Sequence, residues 1–96
     1  MNSSSAAQAQ CRLCKLFSSP GKIRVLEQLA EGEHTVSKLV ERTGLKQSNV
    51  SQYLAAMKAQ DLLQSRRQGK YIYYSLAYPE ISQALTLFKK ILEKKR

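Results

Sequence analysis

The sequence predicts a small, mainly α-helical domain carrying one β-hairpin, with about five helices and two strands in all. Three observations predict it. Through most of the 96 residues, apolar side chains recur at i, i+3, i+4 and i+7, the period of helices that bury one face. One segment, Leu62 to Leu76, alternates instead and is broken by Gly69, as a hairpin would be. Ser, Thr, Pro and Gly also punctuate the helical stretches where helices start and stop.

Taken in order, Met1 to Ala7 is small, polar and aperiodic, which predicts a disordered tail before one domain over residues 8–96. From about Gln8 to Phe17, Leu13, Leu16 and Phe17 share a face with Cys14 beside them, the pattern of a short amphipathic helix. Ser18-Ser19-Pro20-Gly21 interrupts it. Ser19 suits the cap of a second helix and Pro20 its first position, where a missing N–H costs nothing. That helix is expected to bury Ile23, Leu26, Leu29 and Ala30 and to stop at Gly32. Thr35 caps a third, with Val36, Leu39 and Val40 on its apolar side and Gly44 at its end.

A fourth helix begins almost at once and runs to about Gln60, burying Val50, Leu54 and Met57. Asp61 then stands where a left-handed residue is wanted, a conformation Asp tolerates better than most residues but less well than Gly. Leu62–Arg67 and Lys70–Leu76 read as strands around a Gln68-Gly69 turn. Ile72, Tyr74 and Leu76 face one way, Tyr71, Tyr73 and Ser75 the other, and Arg66, Arg67 and Lys70 gather at the tip. Pro79-Glu80 opens a last helix through about Lys95. Its apolar positions, Ile81, Ala84, Leu85, Leu87, Phe88, Ile91 and Leu92, span more than one stripe. Such a helix has two apolar clients, its own domain and a second subunit. Two short helices around a tight Gly-containing turn outline a helix-turn-helix, and the cationic hairpin beside it is a wing.

Composition narrows the function. Sixteen Lys and Arg against seven Asp and Glu give a formal net charge of +9, which predicts a polyanionic partner. The outward face of the fourth helix carries Ser48 and Gln52, flanked by Asn49 and Ser51, in place of the Lys and Glu of a solvated surface. These short, uncharged side chains both donate and accept hydrogen bonds, as base edges require. No apolar run approaches the ~20 residues of a membrane span, and no export signal is evident. Two cysteines are too few for a disulfide framework, so a soluble cytoplasmic protein is expected. An enzyme is not, because Ser/His/Asp sets, metal-ligating His pairs, phosphate-cradling Gly loops and paired carboxylates are all missing.

Three segments in order resemble the winged-helix repressors of the arsenical-resistance and metallothionein-repressor family. Pro20-Gly21-Lys22-Ile23-Arg24-Val25-Leu26 looks like the start of that family's second helix. Gln47-Ser48-Asn49-Val50-Ser51-Gln52-Tyr53-Leu54 is similar to its recognition helix, where His is commoner at the position of Tyr53. Arg66-Arg67-Gln68-Gly69-Lys70-Tyr71-Ile72-Tyr73-Tyr74-Ser75-Leu76 looks like its wing. The resemblance covers roughly Leu13 to Leu92. It implies a homodimeric repressor released from operator DNA by an inducer, paired through its first helix (Leu13, Leu16, Phe17) and its last (Leu85, Phe88, Leu92). Gln47, Ser48, Asn49, Ser51 and Gln52 would then read bases in the major groove. Lys46, Tyr53, Arg66, Arg67 and Lys70 would hold phosphates. Two-fold symmetry makes the expected partner double-stranded DNA with an inverted repeat. The alternative is a winged helix that binds protein or RNA without operator specificity.

The inducer is less legible. The family's Cys-x-Cys metal site at the start of the third helix aligns with Thr35 and Ser37, neither a thiolate. A second family site, on the last helix, needs Asp and His, and neither occurs from Glu80 to Arg96. The single His, His34, lies at a loop edge and is expected to be solvated. No cofactor is required. Cys11 and Cys14, at i and i+3, leave three readings open: core packing, a thiol oxidation or persulfide switch, or a soft-metal site. Arg12 and Lys15 beside them favour thiolate. A Cys11→Ser, Cys14→Ser double variant separates these. A switch or metal site predicts that the variant stays on DNA when oxidant, sulfide donor or metal releases the parent; identical release curves leave only packing.

Overall fold

Helix α1, Pro20–Ala30, is the hub on which the other elements pack. It starts as its sequence dictates: Pro20 takes the first position, and the Ser19 hydroxyl accepts from the Lys22 N–H at 3.5 Å. The chain then follows a simple order, α2 (Val36–Thr43), α3 (Gln47–Ala59), β1 (Leu63–Gln68), β2 (Tyr71–Leu76) and α4 (Glu80–Lys94). The computed structural model describes residues 19–94. The expected tail Met1–Ala7, the expected helix over Gln8–Phe17 with Cys11, Leu13, Cys14, Leu16 and Phe17, and the side chain of Leu92 lie outside the described residues.

The core is one cluster: Val25, Leu26 and Leu29 of α1, Leu39 of α2, Val50, Leu54 and Met57 of α3, Leu63 of β1 and Leu85 of α4. Helix α1 packs against α2, α3, α4 and β2, so its buried arc is wider than the periodicity implied. Val25 is fully buried although it lies off the expected stripe, while Ala30, expected inside, is exposed at the last turn. The apolar side of α3 falls where its spacing put it, with Val50, Leu54 and Met57 at 0–1% exposure.

Both ends of α2 and the C-terminal end of α3 are built from local chemistry. Helix α2 is capped by Thr35, which accepts from the Lys38 N–H at 3.3 Å, and ends on Gly44 in the left-handed conformation (φ 72°). Helix α3 ends in a Schellman turn: Leu62 N–H donates to the Met57 carbonyl, Asp61 N–H to that of Lys58, and Asp61 takes φ 61°. The strands pair antiparallel from Leu63↔Leu76 to Gln68↔Tyr71. The connecting residues are therefore Gly69 and Lys70, one residue beyond the expected Gln68-Gly69. Gly69 adopts φ 63° and Lys70 does not follow it into positive φ, the pattern of a II′ turn with Gly first. Tyr74 and Leu76 pack on the core as expected, but Ile72, further out on the hairpin, is 44% exposed.

Two further expectations are corrected. His34 is not solvated: its N–H and carbonyl bridge those of Tyr74 at 3.0 and 2.9 Å, a single isolated antiparallel bridge on the outer edge of β2. The His34 ring is half-buried and its Nε2 is buried without a partner among the described residues. Leu85, expected at a subunit interface, is 8% exposed and belongs to the protomer's own core, against α1. Leu87, Phe88 and Ile91 of α4 are instead 60, 43 and 53% exposed. Among the described residues no helix is long and apolar enough to cross a membrane.

Asp61→Gly should stabilise the fold by about 0.5–1 kcal/mol, because Gly reaches the left-handed conformation without the Cβ penalty. Urea unfolding of the pair of proteins checks this, and an unchanged or lower midpoint would contradict it.

Candidate nucleic-acid interface

The outward surface of the helix-turn-helix is fixed from behind. Thr43, 6% exposed, is the one buried polar residue among those described, and both its bonds serve the turn. Its hydroxyl donates to the Leu39 carbonyl at 2.6 Å and accepts from the Leu45 N–H at 3.2 Å. The clip ties the end of α2 to the chain entering α3, so the angle between these helices is not left to Gly44 alone. Sequence reading passed over Thr43, because a single Thr before a helix-ending Gly looks like surface.

Helix α3 presents Gln47, Ser48, Ser51 and Gln52 to solvent, with Asn49 half-buried at the flank. Ala55 and Ala59 continue the exposed face one and two turns on, and their small size leaves room for close approach. The helix begins at Lys46, whose side chain makes no capping bond, and its first turn holds no acid. The N–H groups of that turn therefore point outward at the positive end of the helix dipole. Tyr53, expected as a phosphate contact, is half-buried and packed on the core. Its ring edge crosses Gly21 so closely that a Cβ there would sit 2.7 Å from the ring. This contact seats the start of α1 on α3, which explains a Gly inside the first turn of a helix.

The wing is joined to α3 and to the loop before α2. Lys58 Nζ donates to Ser65 Oγ at 2.6 Å, linking the last turn of α3 to β1. Arg66, expected at a phosphate, is engaged within the protein: Nε donates to Glu33 Oε2 at 2.9 Å, Nη2 to Glu33 Oε1, and Nη1 to Gln68 Oε1 at 2.8 Å. Its guanidinium also lies 4.7 Å from the centre of the Tyr73 ring. The Arg66 hydrogen bond holds the Glu33 carboxyl below the usual carboxylate range, so the pair persists at neutral pH and is lost only as acid protonates Glu33. Arg67 and Lys70 remain at the tip. Arg67 Nε rests on the Gly69 carbonyl at 3.2 Å, and Lys70 Nζ lies 5.5 Å from the centre of the Tyr71 ring.

Charge completes the picture. From Arg42 through Pro79 the single acid is Asp61, against six Lys and Arg. Asp61 stands at the far end of α3, about 20 Å along the helix from Gln47. A polyanion approaching the first turns of α3 and the wing tip meets cations, N–H groups and neutral hydrogen-bonding side chains.

Comparison with known proteins decides the family. The model described as "Bacterial regulatory protein, arsR family" matches residues 19–65, the stretch from the cap of α1 into the first strand. The HTH-type transcriptional regulator Rv0081 of Mycobacterium tuberculosis is 32% identical over 93 residues, 96% of this chain and 82% of its own. The chain belongs to the ArsR family. As a family member it is a DNA-binding transcriptional regulator with a winged helix-turn-helix, not an enzyme. Among solved structures, NolR from Sinorhizobium fredii superposes with a TM-score of 0.83 at 28% identity, covering 94% of this chain and 90% of that one. The transcriptional repressor BigR from Xylella fastidiosa gives 0.80 at 27% identity, with 94% and 92% covered.

At the start of α2 the family's Cys-x-Cys metal site lacks its donors. Thr35 and Ser37 take the places of the thiolates, and the Thr35 hydroxyl is already used in capping α2. Among the described residues no three His, Cys, Asp or Glu side chains cluster to hold an ion. Thr43→Val keeps the shape of the clip residue and removes its bonds. Leaving the Leu45 N–H and Leu39 carbonyl without it should cost about 1–3 kcal/mol, read as a lower urea midpoint. A neutral result would show that the turn does not depend on the hydroxyl.

Proposed function

We propose that this regulator is a homodimeric repressor of its own or neighbouring genes that reads an inverted-repeat operator through α3. The observation that carries the reading is the exposed face of Gln47, Ser48, Ser51 and Gln52, uncharged and set between uncapped N–H groups and a cationic wing tip. Gln and Asn bond adenine bidentately, and Ser suits several bases, so this face supplies base discrimination. Lys46, Arg67 and Lys70 supply affinity without sequence information. The repressor sense follows the likeness to BigR, which is described as a transcriptional repressor.

Pairing is supported by α4. Leu87, Phe88 and Ile91 leave a substantial apolar surface on a helix whose other side already packs on α1. Covering that surface with its symmetry mate yields a two-fold dimer whose two α3 helices are related by the same axis. With the family's metal donors replaced, Cys11 and Cys14 are the candidates for release, through oxidation, persulfidation or a soft metal ion.

Titration of duplexes from the protein's own promoter and of random duplexes, over a range of salt, tests this. The parent should keep a gap between the two at every salt concentration, whereas a protein- or RNA-binding winged helix would show none. Gln52→Ala should narrow the gap, by about 1–3 kcal/mol at one base position. Arg67→Ala should weaken all duplexes alike and reduce the slope of log affinity against log salt by about one.

A further inference from the structure

Glu33 and Arg66 are separated by 33 residues in sequence and meet in a two-point, fork-to-fork pair. Such a pair is directional as well as attractive, because two parallel N–H···O bonds fix the plane of one group against the other. The remaining sides of the guanidinium are also taken, one edge by Gln68 and one flat face by Tyr73, its cross-strand neighbour. All three nitrogens of Arg66 thus donate within the protein, although half of its side chain remains exposed. What the pair does mechanically follows from its place. Glu33 precedes His34, which bridges the outer edge of β2 at Tyr74, and Thr35, which caps α2. Arg66 lies three rungs out from Leu63, the buried root of the hairpin, a lever of about 10 Å. A two-stranded hairpin projecting on its own is marginal in water and free to swing on its root.

We infer that Glu33 and Arg66 are a latch that sets the angle of the wing against the helix-turn-helix, and that Arg66 is a positioning residue whose bond to Glu33 is kept on DNA. Wing contacts to the phosphates then fall to Arg67 and Lys70. The latch also accounts for a carboxylate placed beside a DNA-binding surface: unpaired, Glu33 would repel phosphates, and paired it presents no net charge. This inference rests on the DNA-binding reading, but the latch itself is a property of the free protein.

The test uses the full chain with Glu33→Gln, Arg66→Gln and the double charge swap Glu33→Arg, Arg66→Glu. Operator affinity should fall in each single variant by about fivefold, as for a well-formed exposed pair. The salt slope should stay that of the parent, and the swap should recover most of the loss. Three results would each overturn the latch: Arg66→Gln lowering the slope by about 0.9, as loss of a phosphate contact does; Glu33→Gln tightening binding to every duplex; or the swap binding no better than Arg66→Gln. Amide hydrogen exchange over residues 63–76 without DNA separates the two ideas. It should quicken in each single variant and slow again in the swap. If the parent does not distinguish operator from random duplex, the repressor reading falls while exchange still decides the latch; unchanged exchange in the single variants overturns the latch whatever the DNA shows.

Discussion

Everything this regulator presents to a partner depends on one set of contacts, the burial of Val50, Leu54 and Met57 of α3 against Val25, Leu26 and Leu29 of α1. A helix can offer an uncharged polar face to solvent only if its opposite face is held firmly, since little else favours that helix over coil. Here the hold is close to complete. The three α3 side chains are at most 1% exposed. The small size of Gly21 lets the Tyr53 ring lie across the start of α1, so the two helices meet along more than their apolar seam. The reading surface is thus a consequence of packing, displayed by the core and not by a flexible loop.

Around that seam the protein spends its polar bonds on fixing directions. Thr43 clips the turn between α2 and α3, Lys58 reaches Ser65 to join the end of α3 to the wing, and His34 bridges the outer edge of β2. Glu33 and Arg66 add a longer-range tie. The two exposed pairs among them, Lys58–Ser65 and Glu33–Arg66, contribute little stability by themselves. Their common effect is geometric: they hold α3 and the hairpin at one relative angle, which a surface that must fit a groove and its flanking phosphates requires. Charge is arranged to agree, with acids nearly absent from the helix-turn-helix and wing.

Much of this was legible in the chain because the signals are local. Ser19-Pro20, Thr35, Gly44 and Asp61 each mark a helix end through the backbone conformation or N–H they serve, and all four stand at those ends in the structure. What was not legible depends on tertiary contact. The wide buried arc of α1, with Val25 inside, follows from its having neighbours on several sides. Leu85 sits in the protomer's core because α4 turns that side to α1, and periodicity cannot say which of two apolar sides faces which client. Arg66 looked like one cation among three until a carboxylate 33 residues away was found beside it. The hairpin register moved by one residue because Gly69 fits both positions of a tight turn, and only the pairing of the strands chooses between them.

Methylation interference on promoter DNA addresses the central assignment, that α3 enters the major groove. Guanine N7 lies in that groove and is one of the acceptors a reading helix would contact. The account predicts that N7 methylation abolishes binding at two clusters of positions about one helical turn, or roughly 34 Å, apart. A protein that still binds the duplex while no N7 methyl group interferes would not be using α3 as its reading helix.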